Sequence, residues 1–187
     1  MSNITPLLER NKEFARTGAH IGLTPVPKYK VFVVTCMDGR VDPAHILGID
    51  PGDALVMRNT GGRVTDDVIR EVAFIATLTE TLFGDAAPPF EVAVIHHTGC
   101  GSSFLTDPDF RHTFAERIHA DEDSLADQAV TDPSTTVQID VDKLTSSPLL
   151  PAQWSVSGHV YDLETGLVST VTPTSPVAHG HSDVKEA

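Results

Sequence analysis

Two short stretches of this chain carry side chains suited to chemistry. Cys36, Asp38 and Arg40 stand at alternating positions directly after the apolar run Val31–Val34. His97 and Cys100 stand three apart, directly after the apolar run Val92–Ile95. One imidazole and two thiolates form a good donor set for zinc. Tetrahedral zinc takes four ligands, and a position left to water marks a catalytic rather than a structural site. Here that position falls to a water or to Asp38. The plainer reading is that Cys36 is a buried, inert core thiol followed by a surface ion pair, since free cysteine is commonly buried.

His96 and His97 have to be separated. Neighbouring side chains in an extended segment point to opposite sides, so one of them faces away from any metal. The His-x-x-Cys spacing favours His97 as the ligand and leaves His96 as a packed or hydrogen-bonded histidine. His20, His45, His112, His119 and His159 lack ligand-like spacing. His179 and His181 lie in a polar tail, where any metal binding would be adventitious.

Both stretches need elements to deliver them. Short apolar runs such as Val31–Thr35 and Val92–Ile95 suit strands buried on both faces of a parallel sheet. In such sheets ligands gather at the carboxyl ends of the strands. Ala54–Met57 reads as another short strand, ending at Arg58-Asn59-Thr60-Gly61-Gly62. The two glycines let backbone approach a ligand closely. The spacing predicts helices over Thr5–Thr17, from Pro43, from Asp66 to about Phe83, from Pro108 to about His119 and over Thr135–Thr145. The first has an apolar stripe of Leu7, Leu8, Phe14 and Ala15, which packs on this subunit or on a neighbour. Ala120–Thr131 is acidic and weakly patterned. Trp154–Asp162 and Leu167–Val171 read as strands joined by a turn at Glu164-Thr165-Gly166. Strand–helix alternation predicts an α/β fold with a central, mainly parallel sheet flanked by helices. All 187 residues are expected in one domain, with residues 1–30 a helix and extended lead-in and 174–187 a loose tail.

Charge and composition narrow the partners. A formal net charge of -13 argues against nucleic acid and anionic membrane surfaces, which select basic faces. No apolar run is long enough to cross a membrane, and the N-terminus lacks the apolar core of a signal peptide. The expected location is cytoplasmic. There, two well-separated cysteines point to metal or catalysis rather than to a disulfide.

Taken together, Cys36-x-Asp38-x-Arg40, Gly52-Asp53-Ala54, Arg58-Asn59-x-Gly61-Gly62 and His97-x-x-Cys100-Gly101 resemble the signature of the β-class carbonic anhydrases. Gly158-x-x-Tyr161-Asp162-x-x-Thr165-Gly166 is similar to that family's C-terminal strand pair. The likeness runs from about Val31 to Val171, as a short form of the family. It implies Zn2+ on Cys36, His97 and Cys100, and a homodimer that often pairs into a homotetramer. It also implies that Asp38 can close on the metal as a fourth ligand. Related short members act on carbonyl sulfide or carbon disulfide. Two departures lie beside the expected substrate pocket of Gly39, Thr60, Gly61 and Gly62. Position 39 is Gly where Ser or Ala is usual, and position 60 is Thr where Ala is usual.

The chemistry follows from the donor set. Zinc lowers the pKa of bound water and yields hydroxide near neutral pH. Two thiolates cancel the charge of the ion, so the apparent pKa is expected on the order of 8, above the value of about 7 for three-histidine sites. Asp38 is expected to accept a hydrogen bond from the hydroxide, with Arg40 keeping that carboxylate ionised. The substrate is a small, neutral, linear gas with an electrophilic central carbon. Carbon dioxide would give bicarbonate; carbonyl sulfide would give carbon dioxide and hydrogen sulfide. Readings from other classes are a structural zinc site with Asp38 as fourth ligand, a nucleotide-binding module on Gly61-Gly62, and a Cys36–Cys100 redox pair. No G-x-G-x-x-G or Walker pattern supports the second, and His97 beside Cys100 favours zinc over the third.

Overall fold

The structure is a computed structural model and describes residues 2–178. Its centre is a five-stranded sheet built from β1 (Val31–Cys36), β2 (Leu55–Asn59), β3 (Glu91–His97), β4 (Ser155–Tyr161) and β5 (Val168–Pro176). The strand order is β2-β1-β3-β4-β5. The first four strands run parallel, and β5 returns antiparallel to β4. The α/β architecture read from strand–helix alternation is the one observed.

Phe32 and Val34 of β1, Val92 and Val94 of β3 and Val156 of β4 share one face of the sheet, as the two-residue period of a strand requires. Two helices cover that face. α3 (Asp66–Phe83) buries Val68, Val72 and Ala76, and α6 (Pro133–Thr145) buries Val137, Val141 and Leu144. The spacing in each is helical, so one stripe meets the sheet. Thr65 caps α3 through Val68 N, with Asp66 and Asp67 in its first turn, where carboxylates oppose the helix dipole. Asp132 caps α6 with Pro133 at its start, which explains why a segment rich in β-branched residues still forms a helix.

The other face carries Val31, Val33, Ala93 and Ile95, which line a cavity together with Leu47, Ile49 and Ala54 of the connecting segments and His159 and Val168 of β4 and β5. α1 (Thr5–Thr17) covers none of it, and no residue of α1 is buried. α2 (Pro43–Ile46), α4 (Pro108–Ile118) and α5 (Glu122–Ala126) are shorter. Among the described residues no helix is long and apolar enough to cross a membrane.

Several boundaries differ from the sequence expectation, among them β2, which ends at Asn59, and α6, which begins at Pro133. β3 runs on to His97, so both histidines belong to the strand. The acidic stretch after His119 contains α5, capped by Asp121 through Ser124 N. The loose tail expected from residue 174 is corrected over residues 174–178. There β5 continues to Pro176, Val177 N donates to Trp154 O and Ala178 N to Thr145 O. Val177 is buried in the main core, and that apolar anchor overrides the polar composition around it. The rest of the expected tail, with His179 and His181, lies outside the described residues.

Candidate metal centre

In the parallel register Cys36 pairs with Asn59 and Thr35 with Ile95. The carboxyl ends of β1, β2 and β3 therefore lie side by side. Cys36 ends β1, His97 ends β3, and Cys100 follows one turn later. The donor atoms of these three residues lie within 4.8 Å of one another, and all three are buried. The two sulfurs are 3.8 Å apart, too far for a disulfide bond.

The state of His97 supports a metal at this place. Its Nδ1 bonds to the carbonyl of Thr98 at 2.9 Å. Its Nε2 is buried with no hydrogen-bond partner. A buried polar atom left unpaired is costly, and a ring fixed by a carbonyl through one nitrogen is how metal-ligating histidines are held. Two soft sulfurs and one imidazole nitrogen suit zinc. The residues present fit that ion.

The electrostatics of the three donors are mutual. The bond to Cys100 and burial both push the Cys36 thiol up. The same bond pulls Cys100 down; burial opposes this, and His97 and Ser102 reinforce it. Burial lowers His97, but the Cys100 sulfur, the Thr98 carbonyl and Asp38 outweigh it, and the net shift is upward. A divalent cation at this point would stabilise both thiolates.

Asp38 stands outside the three-donor cluster. Its carboxylate accepts two bonds from Arg40, Nε to Oδ1 at 2.9 Å and Nη2 to Oδ2 at 2.6 Å. Arg40 N also donates to Oδ1, and Arg40 Nη2 reaches Gly99 O at 3.1 Å. The Arg40 bonds hold the Asp38 carboxyl well below the usual carboxylate range, against a smaller effect of burial. Arg58 staples the same loop. It donates to Cys36 O, Asp38 O and the Asp42 carboxylate.

Behind the donors the turn Thr60–Gly62 presses on β1. A Cβ on Gly62 would lie 2.8 Å from Cys36 N, and its φ is +69°, a conformation that suits glycine. His96 points to the far side of the strand, as alternation requires. It bonds to Thr136 Oγ1 at 2.8 Å and lies 3.2 Å from both Gly62 O and Asp140 Oδ2.

A cavity of about 190 Å³ opens beside the donors, lined by Cys36, Met37, Asp38, Thr60, Gly61, Gly101 and Ser102. Thr60 and Gly61 of the expected substrate pocket are among its walls. Gly39 and Gly62 are not: Gly39 faces open space and Gly62 backs onto Cys36. Sequence reasoning passed over Met37 and Ser102, and named Gly101 only as part of the His-x-x-Cys-Gly signature. Ser102 Oγ sits 3.3 Å from Cys100 Sγ and accepts from Val130 N; its only sequence signal was its place two residues after a ligand. Arg58 was legible as part of the Arg-Asn-x-Gly-Gly pattern, but its stapling role was not.

The carbonic anhydrase family model matches residues 31–168. The chain belongs to the β-carbonic anhydrase family. It is 33% identical over 153 residues to β-carbonic anhydrase 1 of Mycobacterium tuberculosis, covering 81% of this chain and 88% of that one. It is 34% identical over 159 residues to a carbon disulfide hydrolase of Acidianus sp., covering 73% of this chain and 74% of the other. The crystal structure of a carbonic anhydrase from Streptococcus mutans superposes with a TM-score of 0.74 at 35% identity, covering 92% of this chain and 99% of that one. The relatives of this β-carbonic anhydrase family member thus include both carbonic anhydrases and carbon disulfide hydrolases.

Proposed function

We propose that this chain is a zinc enzyme that adds water to a small, neutral, linear heterocumulene, and that its reaction is the reversible hydration of carbon dioxide to bicarbonate. The observation that carries the reading is the buried, unpartnered Nε2 of His97 facing two cysteine sulfurs. Cys36, His97 and Cys100 would hold the ion. Zinc, when bound, supplies the Lewis acidity that makes water a nucleophile near neutral pH.

The chain's own groups do the rest. Both Asp38 oxygens are engaged by Arg40, and the bidentate pair fixes the carboxylate in one orientation. A carboxylate so fixed accepts a hydrogen bond from the attacking water and aims its lone pair at the substrate carbon. Asp38 is the catalytic positioner of the nucleophile, and Arg40 sets Asp38. With Asp38 bound by Arg40 rather than by the donor cluster, a fourth protein ligand is not made. This favours a catalytic centre over a structural one. Thr60 and Gly61 stand at the substrate side of the site.

A second reaction of the same class is carbonyl sulfide plus water to carbon dioxide plus hydrogen sulfide; the carbon disulfide hydrolases among the relatives are named for a sulfur-containing molecule of the same linear shape. One zinc-loaded preparation assayed against both gases separates them. Stopped-flow hydration of carbon dioxide with little sulfide release supports the first reading. Efficient sulfide release with weak hydration transfers the assignment to the second, and no turnover of either gas overturns both.

We further propose that the working unit is a homodimer or a tetramer built from it. α1 exposes Leu7, Leu8 and Phe14. The cavity over the sheet face of Val31, Val33, Ala93 and Ile95 is lined by no helical residue. A parallel sheet is normally covered on both faces, and a second copy supplies the missing layer.

A further inference from the structure

Beside the metal centre lies a second cavity, of about 330 Å³, which the reaction assigned above does not use. It adjoins the first at Thr60, Gly101 and Ser102, which line both. Beyond those shared walls most of its lining is apolar, and Ser124 and Gln128 are the polar side chains. Leu105, Phe114 and Leu125 form one small core cluster or pack against it. Phe110 and Ile118 continue the wall outward. Phe104, Phe110 and Phe114 succeed one another with ring centroids 5.9 and 6.2 Å apart.

These walls come from the segment Gly101–Gln128, which contributes no metal donor and no part of the Asp38–Arg40 pair. It does not serve the main core either: Leu105, Ala115 and Leu125 form a cluster separate from the one under the sheet. The surroundings are acidic. Asp121, Glu122 and Asp123 start α5, and Asp127 follows it. Asp38, paired with Arg40, lines the other cavity together with the donor Cys36.

We propose that this chamber is an antechamber for the neutral substrate, a site for a linear apolar triatomic molecule waiting beside the metal centre. The proposal rests on the reaction class assigned above and adds a binding site to it. An uncharged molecule gains by leaving water for an apolar wall, and carbon disulfide more than carbon dioxide because it is the more apolar. A bicarbonate ion loses most of its hydration against the apolar part of this wall. The chamber therefore takes up substrate and excludes the anionic product, which leaves on the Arg40 side. Thr60, standing where the family has alanine, is a shared wall between the two cavities. Its side chain sets the width of the passage from chamber to metal.

Crystals of the zinc-loaded protein exposed to carbon disulfide vapour test the site directly, because the two sulfurs give an anomalous signal. The expected result is a pair of sulfur peaks among Leu105, Phe114 and Leu125. Ala120→Phe and Gln128→Phe, separate variants that fill the chamber from its rim, are expected to remove the peaks. With zinc content unchanged, each is expected to raise KM for the gas at least fivefold while leaving kcat within twofold. An empty chamber in the wild type overturns the proposal, as does an unchanged KM in both variants with the peaks gone. If the zinc-loaded protein turns over no gas at all, the reaction class is overturned, and the sulfur peaks alone then decide whether the chamber binds apolar triatomic molecules.

Discussion

Arg63 and Asp140 lie 77 residues apart and pair at 2.7 Å with almost no exposure of either side chain. Asp140 also accepts Val64 N and faces His96. Arg63 donates in addition to the carbonyl of Asp127. The pair ties the Gly61–Gly62 turn, and with it the backbone of Cys36, to α6. Burial works to raise the Asp140 carboxyl, but His96 and Arg63 outweigh it and hold it well below the usual range. A carboxyl lowered on folding stabilises the fold fully above its unfolded value of about 3.9 and loses that contribution as pH falls below it. Asp140→Asn leaves Arg63 buried without its counter-charge, at a cost of about 3 kcal/mol or more. Urea midpoints of the wild type and Asp140→Asn are expected to differ most at pH 7 and by less at pH 3, where the unfolded carboxyl is mostly protonated while the folded one is still ionised. An equal gap at both pH values contradicts the linkage.

Gly62→Ala places a methyl group against Cys36 N and Thr35 C, in backbone that cannot yield cheaply. The left-handed conformation alone costs roughly 1–2 kcal/mol in any other residue. The variant is expected to melt earlier and to carry less zinc, since the clash falls on the strand that presents a ligand. Full stoichiometric zinc by elemental analysis would show that β1 absorbs the methyl group without moving Cys36.

Asp38→Asn and Cys36→Ser separate turnover from metal binding. The first keeps all three donors but cannot keep the charged pair with Arg40. It is expected to retain zinc and lose about 100-fold or more in kcat. The second removes one donor and is expected to lose zinc. Stripping zinc from the wild type with a chelator is expected to abolish turnover while the far-ultraviolet circular dichroism persists, because the sheet core does not depend on the donors. Unfolding on chelation would mark the centre as structural.

Leu7→Glu combined with Leu8→Glu alters side chains that stand exposed on α1, a helix with no buried residue. Light scattering after size exclusion is expected to show a smaller particle than the wild type. An unchanged mass would remove α1 from the subunit interface.

The sequence by itself determined the elements and the ends that carry chemistry. Apolar runs set β1 and β3, caps and proline set the helix starts, and the alternation of a strand separated His97 from His96. Those are local facts, encoded in periods of two and 3.6 residues. The tertiary structure decided what local patterns do not carry. Cys36 and Cys100 meet across 64 residues because β1 and β3 are neighbours in parallel register. Asp38 is bound by Arg40 rather than by the donor cluster. Ser102 became a neighbour of Cys100, and Arg63 found Asp140 on α6. α1 buries none of its residues, so its apolar stripe of Leu7, Leu8 and Phe14 stayed exposed. A residue's period tells which side of its element is apolar; only the packing of elements tells what meets that side.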